Sequence, residues 1–157
     1  MDHVVHVAQV LDSLFGEPTE VHAVTNGVLH GHTGDGDAET GGLVTFRYPD
    51  GMIATIDCSW SQPADAPTWG GLTIHAAGTG GQLTVDAFAQ RVEGPGQCHP
   101  FGLNLDELLL GEFLEAVRAG ETREPSGWAG VRTVRVVNAA QESVRSGQPV
   151  LSLIHIS

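Results

Sequence analysis

Hydrophobic positions follow two different periods along the chain, and the first of them is helical. Over residues 2–15 apolar side chains recur every three or four positions, which is typical of an amphipathic helix. The predicted stripe consists of Val5, Ala8 (or Gln9), Leu11 (or Asp12) and Phe15. Gly16 and Pro18 predict the end of this helix, because glycine suits a helix C-terminus and proline cannot continue one.

From Glu20 onward, apolar and polar residues alternate, which predicts strands. Residues 20–25 form the first predicted strand, and residues 26–42 form a loop rich in Gly, Asp and His. Two predicted hairpins follow: residues 43–48 pair with 52–60 around Pro49-Asp50-Gly51, and residues 71–77 pair with 82–88 around Gly78-Thr79-Gly80-Gly81. The glycine cluster joins two strands and does not open a helix, so it indicates a turn and not a dinucleotide-binding loop. Residues 89–93 are a candidate further strand.

The last third of the chain returns to the helical period. Residues 106–119 place Leu109, Phe113 and Val117 on one stripe with Leu110 and Leu114 beside it, and Gly120 ends this helix. Residues 129–145 form the next helix, with Ser126 as its candidate N-cap and Gly147-Gln148-Pro149 as its stop.

The order of these elements indicates the fold class. Residues 52–60 would present Met52, Ala54, Ile56, Cys58 and Trp60 on one face and Ile53, Thr55, Asp57 and Ser59 on the other. A helix, several antiparallel-type strands and two closing helices are typical of an α+β domain, not of an alternating βαβ chain. We therefore expect a largely antiparallel or mixed open sheet with helices packed on one face.

Length and charge exclude several kinds of partner. The 157 residues suit one domain, assigned to residues 1–150, and residues 151–157 form a tail. The net charge of −12 and the complete absence of lysine argue against nucleic-acid binding, which depends on basic side chains. With no membrane-length apolar run and no signal-peptide pattern, we expect a cytoplasmic protein that neither spans nor binds a membrane. The two cysteines fit a reducing compartment, which disfavours a Cys58–Cys98 bridge, and Cys58 is expected in the core.

The start of the first predicted helix carries the most specific candidate chemistry. Asp2 and His6 are one turn apart, so their side chains would meet on one face. An imidazole titrates near neutrality, and a neighbouring carboxylate can orient it for general acid–base catalysis. The spacing alone fits an exposed acid and a packed histidine more often, so from the residues both interpretations stay open.

A metal site is the other candidate that histidine suggests. His30-Gly31-His32 with Asp35 and Asp37 offers ligand types that zinc or iron accept. The spacing matches no compact site, so a solvated loop is favoured and no metal is expected.

Several motifs, in this order, resemble one oxidoreductase family. Asp2-His3-Val4-Val5-His6 and Leu14-Phe15-Gly16-Glu17-Pro18 resemble the central motif of the Gfo/Idh/MocA family, which includes inositol dehydrogenase and glucose–fructose oxidoreductase. Residues 51–60, 67–70 and 78–83 resemble its hairpins, and residues 113–117, 139–143 and 147–150 its closing helices. Two positions depart from the pattern: Gln9 stands where Asp is common, and Asp12 where Arg is common.

The resemblance implies the catalytic C-terminal domain of an NAD- or NADP-dependent dehydrogenase acting on a sugar, inositol or related polyol. The family's N-terminal Rossmann domain, which binds most of the cofactor and carries a Glu-Lys-Pro motif, is absent from the sequence. His6 would be the acid/base and Asp2 its orienting and substrate-binding partner. His3 and Trp69 would be further substrate contacts, although Trp69 could equally be a packing anchor.

Two consequences of the resemblance concern the chain as a whole. The isolated chain is expected to be inactive because the cofactor site is missing. We expect it to be a gene fragment, because its helix begins at the second residue and Ser152-Leu153-Ile154-His155-Ile156-Ser157 looks non-native. The open sheet face is expected to form homo-oligomer contacts. The alternative is a free-standing dimerisation or ligand-binding module without enzymatic activity.

Overall fold

The computed structural model describes residues 4–28, 39–59, 65, 70–87, 89, 91–94, 97–100 and 102–151. Their helices are α1 (Val4–Phe15), α2 (Leu105–Ala119) and α3 (Gly127–Ser146). The strands are β1 (Glu20–Asn26), β2 (Gly41–Arg47), β3 (Ile53–Ser59), β4 (Thr73–Gly78), β5 (Gly81–Asp86), β6 (Arg91–Gly94), β7 (Gln97–Pro100) and β8 (Val150–Leu151). Two compact units contain them, Met1–Ser61 with Thr122–Ser157 and, separately, Gln62–Glu121.

The first unit is an antiparallel sheet with helices on one face. Its strand order is β3-β2-β1-β8, and α1 and α3 pack against each other and against the strands. The core lies between the two layers and combines small and branched side chains, namely Val4, Ala8, Leu11, Val21, Ala23, Val44, Phe46, Tyr48, Ile56, Val136, Ala139 and Ala140. The predicted α+β class, with helices on one face of an open antiparallel sheet, is confirmed.

Strand β3 has the two faces that its alternation predicts. Ile56 is buried, with Ala54 and Cys58 packed against the core, whereas the side chains between them are exposed. The turn before β3 is closed by two hydrogen bonds, from the Gly51 amide to the Tyr48 carbonyl (3.0 Å) and from the Met52 amide to the Asp50 carboxylate (3.0 Å). Gly51 has a φ of 87°, a conformation that favours glycine.

Helix α1 ends where the sequence predicts, but its buried stripe differs. Gly16 has a φ of 78°, and its amide donates to the Asp12 carbonyl (2.8 Å). The buried side chains are Val4, Ala8 and Leu11. Val5 is half-buried and Phe15 is 48% exposed, with its ring edge against Tyr48 at a centroid distance of 6.1 Å. The difference arises because contacts with α3 and β3 fix which side of α1 is covered.

The second unit contains two hairpins and α2. Strands β4 and β5 pair from Thr73↔Asp86 to Gly78↔Gly81, which confirms the predicted turn at the glycine cluster. Strand β6 overlaps the candidate strand at residues 89–93, and its partner β7 was not predicted. Helix α2 has Asn104 as its N-cap and Gly120 as its C-cap, but it buries no side chain within the described part of the chain. The whole predicted stripe, Leu109, Leu110, Phe113, Leu114 and Val117, is therefore exposed.

Helix α3 begins at the predicted cap position, although that serine does not cap it through its side chain. Ser126 is the N-cap residue, and its hydroxyl donates to Glu124 (2.8 Å). Glu124 also accepts from the Ser126 amide (2.8 Å). The prediction of Ser126 as the N-cap residue is confirmed, although its hydroxyl bonds the Glu124 carboxylate and makes no side-chain cap hydrogen bond.

Candidate functional site

His6 lies in the first turn of α1 on the side turned away from the core. It stands two residues from both Val4 and Ala8, which are buried. At about 100° per residue, its side chain projects roughly opposite to theirs. His6 is exposed, and it forms no hydrogen bond or ion pair with another residue that the structure describes. The imidazole is therefore open to a ligand or a partner on that side of α1.

The other predicted site residues fall outside the described part of the chain. These are Asp2, His3 and Trp69. The pairing of Asp2 with His6 thus stays a prediction, as do the two substrate contacts. The candidate metal loop, His30 to Asp37, also lies outside the described residues. Within the described ranges, no three His, Cys, Asp or Glu side chains are grouped so that they could hold a metal ion.

Helix α1 is tied to α3 by a charged clamp, by which we mean the Asp12–Arg132 pair. Arg132 Nε lies 3.1 and 2.9 Å from the two Asp12 carboxylate oxygens, and Arg132 Nη2 lies 2.9 Å from Oδ2. The Asp12 side chain is only 8% exposed, whereas that of Arg132 is 29% exposed. A short, multiply bonded pair of this kind fixes direction as well as distance. It therefore sets how α1 lies on α3.

The surroundings of the clamp follow from its charges. The hydrogen bond to Asp12 raises the pKa of Arg132, so the guanidinium stays charged. Glu124 lies 4.0 Å from Arg132, and the hydrogen bonds from Ser126 are the main cause that lowers the pKa of this carboxyl. Tyr48 is buried, and burial followed by the charge of Asp12 raises the pKa of its phenol. All three shifts favour a fixed charge pattern, in which the Arg132 cation lies near two carboxylates and Tyr48 is neutral.

One residue of the clamp could be recognised in the sequence, and the other could not. Asp12 stood out because it occupies a position where the family resemblance leads one to expect Arg. Arg132 carried no local signal, since it lies 120 residues further along the chain. Only the packing of α3 beside α1 brings the two side chains together.

Ser143 is a second buried polar residue that the pattern did not single out. Its hydroxyl is fully buried and accepts a hydrogen bond from the Ala23 amide (2.9 Å). Strand β8 pairs with β1 only at Glu20 and Val21, so it does not reach that amide. A helix side chain thus takes the place of a missing strand residue.

Cys58 has the surroundings of a core residue. Its thiol is free, lies 3.5 Å from the Gly42 carbonyl and packs against the core cluster. Burial is the main cause that raises the pKa of this thiol. A protonated, packed sulfur is a poor nucleophile, which confirms the expectation that Cys58 belongs to the core.

The uncovered face of the sheet carries exposed apolar side chains on either side of a polar row formed by His22, Thr45 and Thr55. Val24 and Leu43 are opposite each other on β1 and β2, and they are 51% and 43% exposed. Ile53 on β3 is 58% exposed. A shallow hollow of about 550 Å³ opens here, lined by Val24, Thr25, Asn26, Val28, Gly41, Gly42, Leu43, Asp57 and Ser59. His6 does not line it, so the hollow is separate from the candidate acid/base.

Among the described residues, no helix has the length and apolar character needed to cross a membrane.

Comparison with solved structures shows the fold. A myo-inositol dehydrogenase from Corynebacterium glutamicum is similar at 21% identity with a TM-score of 0.75, covering 96% of this chain and 48% of that one. GenD2 from gentamicin A biosynthesis, in complex with NAD, is similar at 21% identity with a TM-score of 0.75, covering 96% of this chain and 46% of that one. Levoglucosan dehydrogenase, in complex with NADH and L-sorbose, is similar at 16% identity with a TM-score of 0.76, covering 95% of this chain and 49% of that one. This chain thus spans about half the length of these structures.

Sequence comparison gives the family. A search of curated proteins found no match. The family model described as the GFO/IDH/MocA C-terminal domain matches residues 1–84, which is more than half of the chain. The match includes α1 with His6, the clamp residue Asp12 and the strands β1 to β3. The chain therefore belongs to the GFO/IDH/MocA oxidoreductase family, as a C-terminal domain of that family.

Proposed function

We propose that this chain is the substrate-side domain of an NAD- or NADP-dependent dehydrogenase that acts on a secondary alcohol of a sugar, inositol or related polyol. Family membership supports the reaction class, and the similar solved structures are named as dehydrogenases or contain NAD or NADH. The observation that carries the proposal is the position of His6, which is exposed in the first turn of α1 and opposite the core.

His6 has the chemistry that alcohol oxidation requires from the protein. A ring nitrogen of the neutral imidazole would accept the hydroxyl proton while the carbon gives its hydride to the oxidised nicotinamide, and the reverse step would return both. A carboxylate beside the ring would fix its orientation and stabilise the imidazolium form. We assign that role to Asp2, and we assign substrate contacts to His3 and Trp69.

The described residues do not provide a dinucleotide site. The Gly78–Gly81 cluster closes the β4–β5 hairpin, and no described strand leads through a glycine-rich loop into a helix, as nicotinamide-binding folds require. The cofactor would therefore be held by a domain outside this chain. By this proposal the isolated chain neither binds nor reduces NAD or NADP, and titration of the pure chain with each cofactor tests this.

Recovery of the upstream coding sequence is the experiment that decides between enzyme and stand-alone module. We expect a Rossmann domain with a Glu-Lys-Pro motif that runs in frame into Asp2. Screening of cyclitols and sugars with both cofactors then follows, using the complete protein. A genuine translation start at Met1, with its own ribosome-binding site, would contradict the proposal and favour a binding module.

A second role, self-association through the uncovered sheet face, has its own supporting observation. Val24, Leu43 and Ile53 are large apolar side chains on three neighbouring strands, and all three are exposed. Val24 and Leu43 are directly opposite each other, whereas Ile53 pairs with Arg47 further along the sheet. An exposed apolar pair on an uncovered sheet is a candidate interaction site. We propose a second copy of the chain as the partner, whether or not the domain is part of an enzyme.

A further inference from the structure

We infer that Asp12 and Arg132 are positioning residues for His6, because their clamp fixes the rotation of α1 about its own axis. The inference rests on the proposed function only for the role given to His6. The geometry that carries it involves the clamp, the apolar contacts of α1 and the rigidity of a short helix.

The apolar contacts of α1 do not define its rotation sharply. The helix buries Val4, Ala8 and Leu11, with Val7 partly buried against the same core, while Leu14 is 65% exposed. Hydrophobic contact is non-directional, so these side chains determine which side of α1 is covered more sharply than they determine the exact angle within that side. Small rotations of α1 about its axis are therefore opposed mainly by directional polar contacts.

The clamp supplies the missing direction. The guanidinium contacts both carboxylate oxygens of Asp12 at 2.9–3.1 Å, an arrangement that a modest rotation of α1 would break. Since Asp12 is 8% exposed, breaking the pair leaves a nearly buried carboxylate without its cation, which is costly. Glu124 lies 4.0 Å from Arg132 and also accepts a hydrogen bond from the amide of Ser126, the N-cap residue of α3.

A rotation fixed at Asp12 is also fixed at His6. The two residues are six apart, or about 9 Å along the axis, and every residue between them is helical. The angle between the two side chains is therefore set by the helix itself. Rotation of α1 would turn His6 from the outward side toward the flanks of the helix.

The conservative variant Arg132→Lys provides the test, because lysine keeps the charge but cannot reproduce the planar fork. The uniformly labelled chain is studied by nuclear magnetic resonance, following the His6 amide and ring signals. We expect the His6 signals to shift or broaden, whereas the signals of β2 stay at their wild-type positions. Arg145→Lys is the matched control, since it changes the exposed Arg145–Glu142 pair on the same helix and should leave His6 unchanged.

Two further variants keep the inference open to contradiction. Asp12→Asn removes the charge and should shift the same His6 signals, and the exchange Asp12→Arg with Arg132→Asp should bring them back toward wild type. Folded Arg132→Lys or Asp12→Asn chains with wild-type His6 signals would overturn the inference, leaving the clamp as a stabilising pair only. The readout involves no substrate or cofactor, so failure of the proposed dehydrogenase function would not change this result.

Discussion

The Ser143 hydroxyl satisfies a buried backbone amide at the edge of the sheet. Strand β8 stops pairing with β1 after Val21, which leaves the Ala23 amide without a strand partner. The fully buried Ser143 hydroxyl accepts that hydrogen bond. Removing it would leave a buried amide unsatisfied, and an orphaned buried donor costs more than an average hydrogen bond contributes.

We therefore expect Ser143→Ala to lower the free energy of unfolding by about 1–3 kcal/mol, measured by urea unfolding of the chain. Ser13→Ala is the control, because Ser13 is exposed and its hydroxyl bonds only the Val10 carbonyl of its own helix. That variant should stay within about 0.5 kcal/mol of wild type. Equal decreases in the free energy of unfolding of the two variants would show that the buried Ser143–Ala23 hydrogen bond stabilises the chain no more than the exposed Ser13–Val10 bond does.

His6 is the residue on which the proposed chemistry depends. In a dehydrogenase that contains this domain, His6→Ala should reduce turnover by roughly two to four decades, the range typical of a lost general acid/base. The measurement is kcat with saturating cofactor and substrate. His75→Ala is the matched control, since His75 is an exposed histidine on β4 whose ring bonds Thr84. A near-normal rate for His6→Ala would mean that another group moves the proton.

At the scale of elements, α3 offers two glycines with opposite expected behaviour. Gly147 ends the helix with a φ of 67°, where a side chain is strained although no atom lies close. Gly130 lies inside the helix, is exposed and has equally open surroundings. The contrast isolates backbone conformation, because neither substitution creates a contact.

Gly147→Ala should lower the free energy of unfolding by about 1–2 kcal/mol, the cost of a left-handed backbone for a residue with a Cβ. Gly130→Ala should raise it by up to about 1 kcal/mol, since alanine is the better helix former. Thermal and urea unfolding of both variants measure the effect. Changes of the same sign would contradict this account of how α3 ends.

The boundaries of most elements could be predicted because their causes are local. Gly16, Gly120 and Gly147 each have positive φ at a helix end, and Gly51 at a turn, as their positions in the pattern suggest. Strand β7 was missed because residues 97–100 have no alternation long enough to read. Ser126 stands at the predicted N-cap position, although its hydroxyl bonds Glu124 and makes no side-chain cap hydrogen bond.

At the scale of the whole molecule, the uncovered sheet face predicts self-association. We expect the chain to form a dimer in concentration-dependent light scattering after size exclusion. The double variant Val24→Lys with Leu43→Lys replaces the apolar pair by charges that contact with a second copy would have to bury, so it should give a monomer. Val134→Lys, on an exposed position of α3, should leave the dimer intact. A wild-type chain that stays monomeric at all concentrations would remove this role.

The sequence by itself determined the features that depend on neighbours along the chain. Hydrophobic period, glycine and proline positions and the order of motifs gave α1, the hairpins, the α+β class and the family, because each depends on residues close in sequence. The tertiary structure decided the rest: which side of α1 is buried, the Asp12–Arg132 clamp and the Ser143–Ala23 bond. The clamp and the Ser143–Ala23 bond each join groups that are 120 residues apart in the sequence. Packing of the helices on each other and on the sheet brings such groups together, and packing leaves no local pattern in the sequence.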